Sequence, residues 1–288
     1  MEKIGNQKIW SYFDEQSEPR PASNSAVRGG PGHEVTSYFD LAKKIAELQF
    51  LNRDHVLLFR GQGCDFRTTK NNSMLKSRIF RLEGKKVPSK GILEKRFKNL
   101  RTAEDELIAR YTSEKLKGSD RVKRHRIIRW AFLQHYEVCA TPLLDVTHSV
   151  RIAASFASNG NETEEAFIFG FGVPNLSGAV TASSEAGLQV IRLSSACPPD
   201  AVRPHIQEGY LLGEYPEITD FGPNAHYSYY EMDFGRRLIA KFRFDPANFW
   251  KSENYPKASD AALYPGAHRD PLLQIPVKIK KRLEQETA

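Results

Sequence analysis

The chain has 288 residues, a formal net charge of +7 and a pI near 9.2, with 27% charged and 40% hydrophobic residues. These values are typical of soluble globular domains and permit an anionic partner, while no apolar run approaches the ~18 residues of a membrane helix or forms a signal core. The three cysteines are scattered and lack the spacing of zinc ligands, which favours a reducing cytoplasm without disulfides or a metal site.

The first third of the chain is predicted to contain an arm, a helix and a strand. Residues 1–35 are expected to form a flexible arm, because residues 16–34 are rich in Ser, Pro, Gly and charge and would bury little apolar surface. An amphipathic helix is predicted over Thr36–Leu48, and a short buried strand over His55–Phe59. The polar and basic residues 63–88 are then predicted to form a loop.

Helices are predicted before residue 138 and mainly strands after it. Helices over Ile92–Leu116 and Val122–Tyr136 would make a helical lobe at about residues 90–137. Shorter helices are predicted over Ser149–Phe156 and Pro276–Glu284. The later strands are predicted at Leu143–Thr147, Ala166–Val173, Gln189–Leu193, Gly209–Leu212 and Leu238–Phe244.

This order of elements predicts the fold class. Strands that mostly follow one another, with few long helices between them, are typical of α+β proteins. We therefore predict an α+β fold with a mixed or antiparallel core of about five to six strands. Residues 36–288 are expected to form one domain that includes the helical lobe, since no convincing linker interrupts them.

Arg60 is the first candidate functional residue, because it stands where the buried strand ends and the Gly61-Gln62-Gly63 turn begins. A guanidinium at such a point needs a partner, since burying it unpaired is unfavourable. Two partners remain open: Asp145 in an internal bridge, or the phosphate of a ligand. Asp145 and Thr147 alternate with apolar residues, so both are predicted to point to one face of their strand.

Three further polar groups each admit two interpretations. His135 could act as a general base or hydrogen-bond donor, or as a structural cap at a helix end. Gln207 and Glu208 could face a cleft at the start of a strand, or lie in an exposed turn. The basic cluster within residues 121–129 could contact nucleic acid, although a solvated helix face is the commoner meaning of such a cluster.

Sequence motifs of several enzyme classes are absent from the chain. It has no Gly-x-Ser-x-Gly segment, which disfavours a hydrolase with a nucleophile elbow. It also has no Gly-x-x-x-x-Gly-Lys phosphate loop and no His-Glu-x-x-His metal helix.

Five short segments, taken in order, resemble the FRG domain family, which is named for the Phe-Arg-Gly of its first motif. The resemblance covers residues 50–285, and the family usually has glycine in place of Glu137 and arginine in place of Pro142. The resemblance implies a protein of bacterial or phage origin. The segments are Phe59–Gln62, Gln134–Tyr136, Leu143–Thr147 with Ala153–Ala157, Ile206–Tyr210 and Leu263–Gly266.

A more distant resemblance, to ADP-ribosyltransferases of the Arg–Ser–Glu type, implies a fold of that class and the use of NAD. Such enzymes have an arginine ending the first strand, a polar strand before a helix with buried Ala and Phe, and a later glutamate at a strand start. The resemblance assigns NAD binding to Arg60, Gly61, Gln62, His135, Tyr136 and Asp145. It assigns the nicotinamide ribose to Thr147, and the oxocarbenium-like state to Gln207 or Glu208.

Two functions are therefore expected. The first is an ADP-ribosyltransferase-like enzyme that transfers ADP-ribose to an unknown protein or nucleic-acid acceptor, or hydrolyses NAD. The second is a non-catalytic module that binds a nucleotide, a nucleic acid or a protein. The basic helix and basic C-terminus favour the second function, as does Gln207, whose amide lacks the negative charge that stabilises a developing cation.

Overall fold

The computed structural model describes residues 1–4, 9–13, 18–81, 87–160, 165–198, 201–218, 232–251 and 254–287. The chain divides into two compact units, each assembled from three stretches of sequence. Unit 1 comprises Met1–Leu75, Val146–Leu176 and Asp233–Leu263, and unit 2 comprises Lys76–Asp145, Ser177–Met232 and Tyr264–Ala288.

The described strands, in chain order, are β1 (Ile9–Ser11), β2 (Arg20–Ala22), β3 (His33–Glu34), β4 (Val56–Gln62), β5 (Leu144–Thr147), β6 (Ala166–Val173), β7 (Val180–Ser183), β8 (Leu188–Arg192), β9 (Gly209–Glu214) and β10 (Leu238–Phe244). The described helices are α1 (Asn24–Gly29), α2 (Tyr38–Leu51), α3 (Lys90–Ser113), α4 (Ser119–Arg124), α5 (Arg126–His135), α6 (Val150–Ser158), α7 (Leu193–Ala196), α8 (Val202–Ile206), α9 (Pro246–Phe249), α10 (Asp260–Leu263) and α11 (Gln274–Thr287). Short 3-10 turns lie at Arg78–Phe80, Phe234–Arg237 and Pro271–Leu273.

The α+β class is confirmed, but the strand number is larger than predicted. Besides the antiparallel β1–β2 pair, eight strands lie in the described residues, where the sequence predicts about five to six. The additional strands are β3, which has two residues, and β7, whose side chains are alternately exposed and half-buried. Neither presents the run of apolar residues by which buried strands are recognised.

Unit 1 is built on a mixed sheet with β4 inside it. β4 pairs antiparallel with β6 and, through Phe59 and Thr147, with β5. β10 pairs antiparallel with β6 on its other side, and β3 pairs parallel with β10. β6 is buried along its whole length, as expected of a strand that has neighbours on both sides and both faces covered.

Several of the described residues among the first 35 are packed into unit 1, where the sequence predicts a flexible arm. Ile4, Ile9, Val27 and Val35 are at most 3% exposed. Asn24 Nδ2 donates hydrogen bonds of 2.8 Å to the carbonyls of Gly235 and Leu238. These apolar residues reach the core although the average composition of the segment is polar.

Unit 2 combines the helical lobe with a separate antiparallel meander. The strands pair in the order β9-β8-β7, and residues of α3, α5, α11 and β9 share one hydrophobic core. The sequence predicts one domain over residues 36–288 that includes the lobe, and the lobe shares its core with later residues such as Ile191 and Leu211. The predicted helix Val122–Tyr136 is interrupted at His125, whose extended ψ of 106° separates α4 from α5.

Among the described helices, none has both the length and the apolar character required to cross a membrane.

Candidate functional site

The predicted site residues divide between the two units. Arg60, Gly61, Gln62 and Thr147 belong to unit 1. The other five, namely His135, Tyr136, Asp145, Gln207 and Glu208, belong to unit 2. Each group is described within its own unit.

Arg60 lies near the C-terminal end of β4 and is half-buried. The register pairs it with Phe169 of β6 and pairs the preceding Phe59 with Thr147 of β5. Residues directly opposite each other on antiparallel strands share a face, and successive residues alternate between faces. Arg60 therefore points to one face of the sheet, and Thr147 points to the other together with Phe59 and Gly61.

Gly61 is a point of very close backbone packing. A Cβ atom built on it would lie 1.8 Å from the carbonyl oxygen of Ala153 and 2.9 Å from the amide nitrogen of Ala157, both on α6. Ala153 and Ala157 are themselves fully buried. The glycine of Phe-Arg-Gly and the two alanines of the later segment thus form one contact, in which α6 rests directly on β4. This contact fixes the end of the strand that carries Arg60.

Thr147 is buried and supports the start of α6. Its Oγ1 accepts a hydrogen bond of 3.0 Å from the backbone amide of Ser149. Ser149 is in turn the N-cap of α6, and its hydroxyl accepts from the amide of Ile152. Threonine and serine oxygens are well suited to satisfy the free amides at a helix start.

A buried ion pair, which the sequence did not predict, lies on the face of the sheet to which Arg60 points. Lys241 of β10 stands opposite Phe169, which stands opposite Arg60, so these side chains share a face. Lys241 Nζ lies 3.0 Å from both Asp65 Oδ2 and Ser73 Oγ, and it also donates to the carbonyl of Gly30. Burial lowers the pKa of Lys241, while Asp65 opposes that change. The signal in the sequence was a lysine within the otherwise apolar run Leu238–Phe242.

In unit 2, the side chain of His135 is 4% exposed and lies beside a carboxylate. Its Nδ1 is 3.9 Å from Asp145 Oδ1, and its Nε2 is buried without a hydrogen-bond partner among the described residues. Gln134 orients the carboxylate by donating a 2.5 Å hydrogen bond to Asp145 Oδ2, and its own Oε1 accepts from Thr141. Such an orphaned buried nitrogen is uncommon and suggests a catalytic or ligand-binding role.

Tyr136 belongs to a buried polar network. Its hydroxyl donates to Asp270, 2.9 Å from Oδ2, and the backbone amide of Arg203 donates to the same oxygen over 3.3 Å. The guanidinium of Arg203 lies 5.3 Å from the ring centre of Tyr136 and 4.9 Å from that of Tyr264, and it donates to the carbonyl of His135. Burial and the neighbouring Asp270 raise the pKa of Tyr136. The network joins two of the five recognised segments, through Tyr136 and Tyr264, and holds His135 by its backbone.

Gln207, Glu208 and Gly209 form a turn between α8 and β9. Gln207 is 8% exposed, and its amide donates to the carbonyl of Arg203. Glu208 is exposed and has a φ of +45°, a left-handed conformation that side-chain-bearing residues rarely adopt. A Cβ atom on Gly209 would lie 3.4 Å from Cε1 of His135 and 2.8 Å from Leu193 Cδ1, so this turn lies against the imidazole. The sequence could not tell which of the two polar residues is exposed.

The basic helix is only partly a solvated face. Arg126 Nε and Arg129 Nε both donate to Oε1 of Glu104, over 3.1 and 2.9 Å, and this carboxylate side chain is 4% exposed. Arg121 donates to the carbonyl of Ser195. These arginines therefore hold α5 and α4 within unit 2, which reduces the positive charge that a nucleic acid could contact.

The fold and these side chains together define an α+β protein with an arginine at the end of an internal strand and a buried histidine beside a carboxylate. The chain contains an FRG domain: the model of that family matches residues 56–166, from β4 to the first residue of β6, which confirms the resemblance to it. The match includes Arg60, His135, Asp145 and Thr147 and ends before Gln207 and Glu208. No curated protein and no solved structure is significantly similar to the chain.

Proposed function

We propose that this FRG domain protein binds NAD and uses it as a donor of ADP-ribose, either for an acceptor or for water. The observation that carries the proposal is that, within unit 2, the neighbouring residues His135 and Asp145 meet the turn Gln207–Gly209, which is distant from them in sequence. An orphaned buried imidazole nitrogen and a non-glycine residue held in a left-handed conformation are both features that concentrate at functional sites.

Glu208 is the carboxylate that we assign to the chemical step. When the bond between C1′ of the ribose and the nicotinamide nitrogen breaks, its electron pair leaves with nicotinamide and the ribose becomes an oxocarbenium-like cation. The exposed carboxylate of Glu208 supplies the opposite charge. Gln207 is buried, and its backbone N–H ends α8 by donating to the carbonyl of Arg203. A nucleophilic oxygen or nitrogen of the acceptor, or water, then bonds to C1′ and releases its proton to solvent.

Arg60 is assigned to the phosphates of NAD. A guanidinium donates short, charge-assisted hydrogen bonds to phosphate oxygens, and half-burial of Arg60 strengthens them. Gly61 and Gln62 continue the strand end, whereas Thr147 points to the opposite face of the sheet, so we assign to it the support of the turn that starts α6 and no contact with the nicotinamide ribose. The three free cysteines suit a cytoplasmic protein of bacterial or phage origin, in which this reaction would serve as a toxin or in phage defence.

Two measurements on the purified full chain test the proposal. Calorimetry is expected to detect NAD binding, and Arg60→Ala is expected to weaken it by about 10- to 100-fold, since hydrogen bonds to charged groups contribute about 1.5–3 kcal/mol. Chromatography of released nicotinamide is expected to show a loss of about 100-fold or more in Glu208→Gln, with NAD binding retained. Arg53→Ala and Glu185→Gln, at exposed positions, are the matched controls.

Absence of both NAD binding and nicotinamide release, with protein and nucleic-acid acceptors supplied, would refute the enzymatic function. Salt-sensitive binding of nucleic acid under those conditions would then support the non-catalytic module instead. The pairing of Arg126 and Arg129 with Glu104 leaves that second function without a specific observation in its favour.

A further inference from the structure

Unit 2 contains an open cavity of about 390 Å³ that none of the predicted site residues lines. Its walls are the turn Arg78–Phe80, the helices α3 and α11, and residues 137–140. A volume of this size lies within the range of about 300–1,000 Å³ that is typical of small-molecule sites. The polar lining consists of Arg78, Arg96, Asn99, Glu137, Lys280 and Glu284.

Four of the six polar residues of the cavity are positioned by helix geometry. Arg96 and Asn99 lie one turn apart on α3, and Lys280 and Glu284 lie one turn apart on α11, so each pair shares a helix face. Arg96 is also anchored, because its Nη1 donates to the carbonyl of Ile79 over 2.8 Å. A site whose polar groups are held by rigid elements can recognise a ligand without a large loss of side-chain entropy.

The lining suits a ligand with two different ends. The cations Arg78, Arg96 and Lys280 provide donors and positive charge, which phosphate groups require. The carboxylates Glu137 and Glu284 accept hydrogen bonds from hydroxyl groups, and the Asn99 amide can donate and accept. A simple anion would use the cations and be repelled by the carboxylates, whereas a phosphorylated sugar uses both.

The backbone conformation of Glu137 sets the position of one of the two carboxylates that line the cavity. Its φ is +56°, a left-handed conformation in which glycine is unstrained and a residue with a Cβ is not. This strained residue lies at the cavity wall and carries one of the two carboxylates. This conformation belongs to the end of α5, where the amide of Val138 donates to the carbonyl of Leu133, and it fixes where the Glu137 side chain leaves the backbone.

We infer that this cavity is a binding site for a sugar phosphate, with the phosphate held by Arg78, Arg96 and Lys280 and the hydroxyl groups by Glu137, Glu284 and Asn99. The site is independent of the proposed NAD reaction, because it shares no residue with Arg60, His135 or the turn at Glu208.

Calorimetry with the full chain and three probes tests the inference: ribose 5-phosphate, inorganic phosphate and ribose. Ribose 5-phosphate is expected to bind at least tenfold more tightly than either of the other two. Arg78→Ala is expected to weaken both phosphate-bearing probes by about tenfold, and Lys98→Ala, at an exposed position of α3, is expected to change neither.

Glu137→Gly separates recognition from folding. It is expected to weaken ribose 5-phosphate by about tenfold, to leave inorganic phosphate unchanged or tighter, and to leave the Tm unchanged or higher because the backbone strain is removed. The inference is overturned if ribose 5-phosphate binds no better than inorganic phosphate. It is equally overturned if Glu137→Gly leaves ribose 5-phosphate binding intact, or if Lys98→Ala matches the loss of Arg78→Ala.

Discussion

The two units position their candidate residues by different physical means. In unit 1, Arg60 is fixed by steric fit, because Gly61 brings the backbone of β4 directly against α6. In unit 2, His135 is fixed by hydrogen bonds between buried polar groups, through Arg203, Tyr136 and Asp270. The stability of unit 1 should therefore be most sensitive to a substitution that adds an atom, and the stability of unit 2 to one that removes a hydrogen-bonding atom.

The largest expected effect tests the steric contact. Gly61→Ala would place its methyl group 1.8 Å from the carbonyl oxygen of Ala153, and a backbone atom cannot move aside as a flexible side chain does. We expect a loss of at least about 3 kcal/mol in the free energy of unfolding, measured by urea denaturation. The matched control is Gly170→Ala on β6, where the new methyl group meets Ala240 Cβ at an ordinary 3.5 Å and the expected change is within about 1 kcal/mol. Equal losses in the two variants would show that close packing at Gly61 is not special.

A smaller effect is expected from removing one oxygen in unit 2. Tyr136→Phe deletes a donor to Asp270, whose carboxylate is fully buried and would keep fewer hydrogen bonds. We expect a loss of about 1–3 kcal/mol in the free energy of unfolding. Tyr255→Phe, at a position in unit 1 that is 44% exposed, should change it by less than about 0.5 kcal/mol. If Tyr136→Phe were equally silent, hydrogen bonding could not be what holds His135.

The third and smallest effect is the change of the free energy of unfolding with alkaline pH. We expect unit 2 to contribute more to this change than unit 1. Burial raises the pKa of the Cys197 thiol from 9.0 to about 12. The unfolded chain therefore releases this proton first, so the stabilisation is complete below pH 9 and is lost as the pH rises towards 12. The slope for one such thiol approaches ~1.4 kcal/mol per pH unit.

The comparison of variants isolates that slope. Cys197→Ala should flatten the fall in the free energy of unfolding between pH 9 and 10.5, measured by urea denaturation, relative to the unchanged chain. Cys64→Ala in unit 1 should alter the slope less, because Cys64 is exposed. Parallel pH profiles for Cys197→Ala and the unchanged chain would contradict the assignment.

The sequence predicted those features that depend on neighbouring residues. Periodicity located β5, α6, β6 and β10 closely, and the end of an apolar run located Arg60 at the end of β4. It did not predict the contact between Tyr136 and Asp270, because residues 134 positions apart meet only after the chain has folded. For the same reason it did not predict the core that the lobe shares with the later strands, which has no local signature.

The candidate site was predictable in its residue types but not in its geometry. Alternation along β5 shows which residues share a face, yet the register with β4, which directs Arg60 and Thr147 to opposite faces, depends on strand pairing. Likewise, the choice between Gln207 and Glu208 depends on the hydrogen bond from the Gln207 amide to Arg203, which closes α8 and buries the glutamine. Lys241 and Asp65 were missed because their pairing joins segments 176 residues apart.

The interleaved course of the chain has a consequence for how this protein can be divided. Residues 56–166, which match the family, include only part of each unit and lack β8, β9, β10 and α11. A fragment cut at those limits would contain only the first residue of β6, so it would leave β4 without that neighbour, and it would expose the core that α11 covers. The segment that matches the family is therefore shorter than the segments that build the two units, and a fragment that keeps both cores must extend beyond it on both sides.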